Sequence, residues 1–306
     1  MAVAQDTSEF RYLPAQAQRL GTVVPEVSRL SLPLPDGRTL SALHFGTGTP
    51  EVTFLHGAGL NAHTWDTTAL QLGRPALMID LAGHGDSAWR EDRDYSPRPL
   101  ADDVALALAA WTTQPQVLVG QSLGGLVAAR VAAQHPDLIR ELIVIDITPG
   151  LDVDAAPAIL REFYAVTEFA DRSAAADRAQ SFGFGGTRED TERGVFFNTR
   201  IREDGRVEWK HHFARLVGHA LDTLDPATAD SGTRGAQGWA DLGAVTAPVT
   251  LVRGSRGFLQ DADAEEFGRR LPSATILTFD AGHNVQETAS GAVAELVISA
   301  LGLPTR

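Results

Sequence analysis

The chain has 306 residues, with 26 Lys+Arg against 39 Asp+Glu and hence a formal net charge of −13. It contains no cysteine, which excludes disulfides, thiolate chemistry and Cys-ligated zinc or iron–sulfur sites. An apolar share of 43% with 21% charged residues is that of a globular protein, and the acidic excess disfavours nucleic acid and anionic lipid as partners.

The opening MAVAQDTSEFRYLPAQAQRL lacks a basic start followed by an apolar core, so no secretory signal is expected. No run approaches the roughly 18 consecutive apolar residues of a membrane span. A soluble, cytoplasmic protein is the expectation. Residues 30–46 read as an antiparallel hairpin turning at Asp36-Gly37. Short apolar runs follow at Glu51–Leu55, Pro75–Asp80, Gln116–Gly120, Glu141–Ile147, Pro248–Arg253 and Ala274–Phe279. They are nearly continuous rather than alternating, which predicts strands covered on both faces. Between them, Pro99–Thr112 and Leu123–Gln134 carry helix formers at helical spacing. Strand and helix in alternation predict an α/β fold with a mostly parallel central sheet and right-handed crossovers.

The alternation breaks between residues 149 and 239. This stretch opens at Pro149-Gly150, holds Ala-rich helical patterns and SFGFGG at 181–186, and closes near Ser231-Gly232 and Gly235. No buried-strand run occurs in it. The expected division is therefore a helical subdomain, 149–239, inserted between core segments 1–148 and 240–306.

The sharpest chemical signal is Gly120-Gln121-Ser122-Leu123-Gly124-Gly125, between the strand QVLV and the helical LVAARVAAQH. A tight strand-to-helix turn lifts the Ser122 hydroxyl above the sheet, and flanking glycines remove side chains that would collide. It also puts the Leu123 N–H at a helix N-terminus, where negative charge is stabilised. A serine hydroxyl needs a base to take its proton. His283, in Asp280-Ala281-Gly282-His283 directly after the last strand, lies at the carboxyl edge of the sheet, where open α/β sheets hold their sites. A second oxyanion donor is expected from His56-Gly57-Ala58-Gly59, with the Ala58 N–H the best placed and His56 bracing the turn.

Taken together, these marks resemble the α/β-hydrolase fold family. They are His56-Gly57-Ala58-Gly59, then Asp80-Leu81-Ala82-Gly83-His84-Gly85-Asp86-Ser87, the Ser122 turn and the terminal His283, in family order. The resemblance implies that the insert after the sixth strand is a cap shaping the substrate pocket. It also implies structural rather than catalytic roles for Asp80 and the Gly83–Ser87 turn. The family most often carries its acid after the strand that follows the cap, in a Gly-x-x-Asp pattern. Here that position reads Gly254-Ser255-Arg256-Gly257, with glycine in place of the carboxylate.

Three carboxylates are candidates for the acid. Asp146 ends the strand next to the one before Ser122, and adjacent strands lie about 4.8 Å apart. An aspartate in an apolar, buried strand costs several kcal/mol unless it is paired or hydrogen-bonded, and His283 would be a partner. Asp146 could equally cap the Thr148-Pro149-Gly150 turn. Asp261 and Asp263 reach the site only if the loop after Gly257 bends back. Elsewhere, His211-His212 read as a solvated surface, and the aromatics Phe163, Tyr164, Phe169, Phe182, Phe184, Phe196, Phe197 and Trp209 as the insert's own core with some pocket lining. The Glu265-Glu266 and Arg269-Arg270 pairs read as a solvent-facing helix.

The resulting expectation is a serine hydrolase for carboxylic esters, lactones or thioesters, with Ser122, His283 and Asp146 as triad and no cofactor or metal. Its substrate would be a small molecule with an apolar portion. Carbon–carbon bond hydrolysis by the same Ser/His pair, or an inert ligand-binding receptor, are the alternatives. Homo-oligomerisation is left open.

Overall fold

A computed structural model of the chain describes residues 8–149, 151, 162–216 and 231–304. Of the 149–239 insert, residues 150, 152–161 and 217–230 lie outside the described residues, and with them Gly150 of the expected entry turn. Each apolar run becomes a strand: β1 (Val27–Pro33), β2 (Thr39–Phe45), β3 (Val52–Leu55), β4 (Ala76–Asp80), β5 (Gln116–Gln121) and β6 (Ile139–Ile145). The last two runs become β10 (Val249–Arg256) and β11 (Thr275–Gly282), and between β6 and β10 lie β7 (Glu168–Phe169), β8 (Thr199–Ile201) and β9 (Val207–Trp209).

Eight of these form one sheet in the order β1-β2-β4-β3-β5-β6-β10-β11. The hairpin β1–β2 and the β2–β4 pair are antiparallel, and every pair from β4 to β11 is parallel. Continuous hydrophobicity is explained by two-sided cover. Along β5 and β6, Leu118, Leu142 and Val144 enter one core with the helices Pro97–Trp111 and Leu123–Gln134. Val117, Val119, Ile143 and Ile145 enter the other, beside Trp65 and the helix Ser290–Ala300. A polar substitution on either face would therefore meet hydrocarbon. The parallel strands all end at one edge, which collects the candidate residues.

The insert contains the expected helices, Arg172–Ser181 and Arg188–Asn198. It also contains a three-stranded antiparallel sheet, β7-β9-β8, that no sequence run announces. These strands are two or three residues long, too short for a periodicity to register. The expected exit punctuation, Ser231-Gly232 and Gly235, falls instead inside the helix Ser231–Ala244, which also runs through residue 239. Two of its glycines, Gly235 and Gly238, have a packing reason. A Cβ at Gly235 would lie 3.0 Å from the Pro149 carbonyl oxygen, and one at Gly238 would lie 2.7 Å from the Pro149 ring. Six of the eight aromatics form a core of the insert's own, with Phe163, Tyr164, Phe169 and Trp209 on the Ala175, Ala176 and Ala179 face and Phe182 and Phe184 against it. Phe196 and Phe197 depart from that expectation and pack on Tyr12 and His63 of the first core segment. On the solvent side, Arg270 pairs with Glu266 at 2.8 Å along the helix Asp261–Arg270.

Candidate active site

The Ser122 turn is built by glycine. Ser122 adopts φ 52°, ψ −122° and stands as the N-cap of the helix Leu123–Gln134. This region is costly for a residue with a Cβ and persists only where the surroundings impose it. Close approach imposes it here. A Cβ at Gly120 would lie 2.2 Å from the Gly124 carbonyl oxygen, and one at Gly124 would lie 2.4 Å from that of Leu55. Helix, strand and neighbouring strand end meet with no room for side chains.

Asp146 mirrors Ser122 on the adjacent strand. The register pairs Gln121 with Ile145, so the next residues, Ser122 and Asp146, leave β5 and β6 side by side. Asp146 also has a positive φ, 51°. Its N–H donates to the Val252 carbonyl at 2.7 Å, and the Ser122 N–H donates to that of Ile145 at 2.9 Å. The Asp146 side chain is fully buried and accepts three hydrogen bonds. Gly254 N–H donates to Oδ1 at 3.0 Å, Phe258 N–H to Oδ2 at 2.7 Å, and His283 Nδ1 lies 2.7 Å from Oδ2. A buried carboxylate with three donors is compensated for its lost water. The imidazole loop is tied to the serine turn as well, since Gln121 Nε2 donates to the His283 carbonyl at 3.2 Å.

The glycine at 257 now has a cause. A Cβ there would lie 2.3 and 2.4 Å from the two carboxylate oxygens of Asp146. Asp146 occupies the space that a side chain at 257 would need, so a residue with a Cβ must displace the carboxylate. Asp261 and Asp263 are committed elsewhere. Asp261 pairs with Arg253 and is exposed, while Asp263 caps its own helix through the Gln260 N–H at 2.8 Å. Replacing Gly257 by alanine should lower kcat by about 10²-fold, the scale of a misplacement of about 1 Å. Steady-state turnover of an ester measures it, and an unchanged kcat would show that the pocket yields.

The turn after β3 lies against the serine. A Cβ at Gly57 would fall 3.2 Å from Ser122 Cβ and 2.2 Å from Gln121 Oε1, so the turn that carries Ala58 abuts the serine turn. His56 does brace this turn. Its Nε2 accepts the Leu81 N–H at 3.0 Å, so the ring proton is on Nδ1, 2.8 Å from the Gly57 carbonyl. Asp80 is likewise structural, accepting the N–H groups of Ala62 and Asp86 and pairing with Arg29.

The expectation for His211-His212 is corrected. His211 is buried at 1% exposure, its ring 6.3 Å from that of His84, which in turn lies 5.1 Å from His56. His212 stacks on Trp89 at 4.3 Å and meets the Tyr95 hydroxyl at 2.8 Å. The segment docks the cap on the Gly83–Tyr95 loop, where the His212 N–H donates to the Gly83 carbonyl at 2.8 Å. Sequence neighbours do diverge, but both directions here are covered.

Burial holds His56 at about 4 and, helped by His56, holds His84 at about 3. Burial next to His84 and His56 also holds His211 well below the ordinary imidazole value. A histidine depressed in the folded state takes its proton only on unfolding. Stability is therefore full above about pH 6.5 and falls as pH drops toward 4, by up to about 1.4 kcal/mol per pH unit for each ring. His63 opposes this: burial lowers it, but Asp66 and Glu9 together raise it. His212 is lowered too, by burial and by Arg93 and Arg215. Four rings against one predict a melting temperature that falls between pH 6.5 and 4.5; a flat profile would refute it.

A family model described as the alpha/beta hydrolase family matches residues 54–296. The chain belongs to the α/β-hydrolase family. Esterase Rv0045c of Mycobacterium tuberculosis is 36% identical over 306 aligned residues, covering 94% of each chain. A solved structure of that esterase superposes with a TM-score of 0.82 at 35% identity, covering 96% of this chain and 99% of the other. The sn-1-specific diacylglycerol lipase ABHD11 of Mus musculus is 28% identical, covering 76% of this chain and 75% of its own.

For this α/β-hydrolase the sequence reading missed Phe258, which stacks on His283 and carries no motif. It also gave no role to Gln121 of the serine turn, which holds the His283 carbonyl. The Tyr164 hydroxyl reaches to 3.0 Å from where a Cβ of Gly59 would be. Among the described residues, no group of three or more His, Asp or Glu side chains is placed to hold a metal ion, and no helix is long and apolar enough to cross a membrane.

Proposed function

We propose that the chain is a serine esterase acting on small-molecule carboxylic esters, with Ser122 as nucleophile, His283 as base and Asp146 as acid. One observation carries the reading: the 2.7 Å contact between Asp146 Oδ2 and His283 Nδ1, on a strand end in register with the strained Ser122. His283 takes the Ser122 proton as Oγ attacks the carbonyl carbon. Asp146 keeps the imidazole proton on Nδ1, leaving Nε2 free to accept, and offsets the charge of the imidazolium. The N–H groups of Ala58 and Leu123 receive the oxyanion, the latter at a helix N-terminus. The imidazolium then protonates the leaving alcohol, and the acyl group stays on Ser122 as an ester. Water, deprotonated by His283, releases the acid.

The esterase function of the M. tuberculosis relative supports the same reaction class here. A glycine at 257 in place of the family's acid is the one feature that favours an inert receptor, and that glycine is accounted for by the carboxylate of Asp146 beside it. Residues 149–239 would form the cap over the pocket, between core segments 1–148 and 240–306, in a cytoplasmic protein. A panel of p-nitrophenyl esters with a fluorophosphonate probe tests the reading. Turnover of a short-chain ester and covalent labelling at Ser122 are expected; a protein inert to both would overturn it.

A further inference from the structure

The ring of Phe258 lies flat on the imidazole of His283, with centroids 3.6 Å apart and planes 12° from parallel. Phe258 is nonetheless 45% exposed, so burial in a core does not account for its position. Its backbone does. The Phe258 N–H donates to Asp146 Oδ2 at 2.7 Å, the same oxygen that faces His283 Nδ1. On either side, Gly257 leaves room for the carboxylate and Leu259 is buried at 4%. The loop is thus pinned at both ends of one exposed aromatic ring, and the pinning aims that ring at the imidazole.

A single hydrogen bond fixes the direction of Nδ1 but leaves the imidazole free to rock about the Nδ1–Oδ2 axis. A flat ring against its face removes that freedom. Close face contact also shields the apolar surface of both rings from water. The imidazolium formed during acyl transfer would also lie over a π face, which attracts a cation. We propose that Phe258 is a positioning residue that holds the plane of the His283 ring, so that Nε2 stays aimed at Ser122. This rests on reading His283 as the base. A leucine would shield the same surface from water but could neither stack nor present a π face.

The test uses the full chain with Phe258→Leu, Phe258→Tyr and His283→Ala, assayed on a p-nitrophenyl ester and by the rate of fluorophosphonate labelling. For Phe258→Leu we expect kcat and the labelling rate to fall about tenfold with KM held within about twofold, and for Phe258→Tyr a return to within about twofold of wild type. Half-exposure of the side chain predicts unchanged melting temperatures, which separates positioning from folding. The proposal is overturned by a Phe258→Leu enzyme with wild-type kcat, by a change confined to KM, or by a tyrosine variant as slow as the leucine one. A His283→Ala variant that keeps turnover would instead overturn the base assignment. Loss in His283→Ala beside an unaffected Phe258→Leu removes only the stacking role.

Discussion

Asp146→Asn is expected to lower kcat for an ester substrate by two to four orders of magnitude, since a misplaced imidazole proton can cost about 10⁴. The carboxylate serves three donors, Gly254 N–H, Phe258 N–H and His283 Nδ1. An amide has one accepting oxygen, so its NH₂ must face a donor. If it faces His283, the ring takes the wrong tautomer and Nε2 no longer accepts the Ser122 proton. If it faces Gly254, an N–H is left unpaired in a fully buried site, and stability falls by about 1–3 kcal/mol. In either orientation the negative charge that offsets the imidazolium is gone. Asp261→Asn and Asp263→Asn should stay within about twofold of wild type, because neither carboxylate contacts the site. Steady-state kinetics on the three variants decides the matter, and near wild-type rates in Asp146→Asn would remove the acid assignment.

Ser122→Ala should lower kcat by about 10⁶, the scale of losing a serine nucleophile from an otherwise intact triad. Fluorophosphonate labelling should vanish with it. The fold should survive. Alanine has the same Cβ as serine and so occupies the same positive-φ turn, and the Ser122 N–H bond to Ile145 is a backbone bond that the change leaves in place. A correctly melting but inactive variant is thus the expected result. Residual ester turnover near the wild-type rate would show that the hydroxyl is not the nucleophile.

Much of the architecture was legible because its causes are local. A continuous apolar run means a strand covered on both faces, and QVLVG followed by QSLGG and LVAARVAAQ puts a strand, a tight turn and a helix in immediate succession. Where the cause was not local, the reading fell short. The strands β7 and β8 each pair with β9, across up to 40 positions in the case of Glu168 with Glu208, and all three are too short to show a period. Gly235, inside the helix Ser231–Ala244, reads as a chain breaker because the Pro149 carbonyl it accommodates is far away in sequence. His211 read as solvated because nothing beside it reveals that His84 and Tyr164 close over it.

The chain alone determined the α/β class, the sheet-edge location of the site and the identity of Ser122 and His283 as candidates, since each depends on residues within a few positions of itself. Which carboxylate meets the imidazole was decided only by the tertiary structure. Asp146 and His283 are 137 residues apart, and strand order in the sheet sets their separation. That order also left Gly257 without space for a side chain and laid Phe258 against the ring, because packing distances between strand ends are a property of the assembled sheet and of no segment within it.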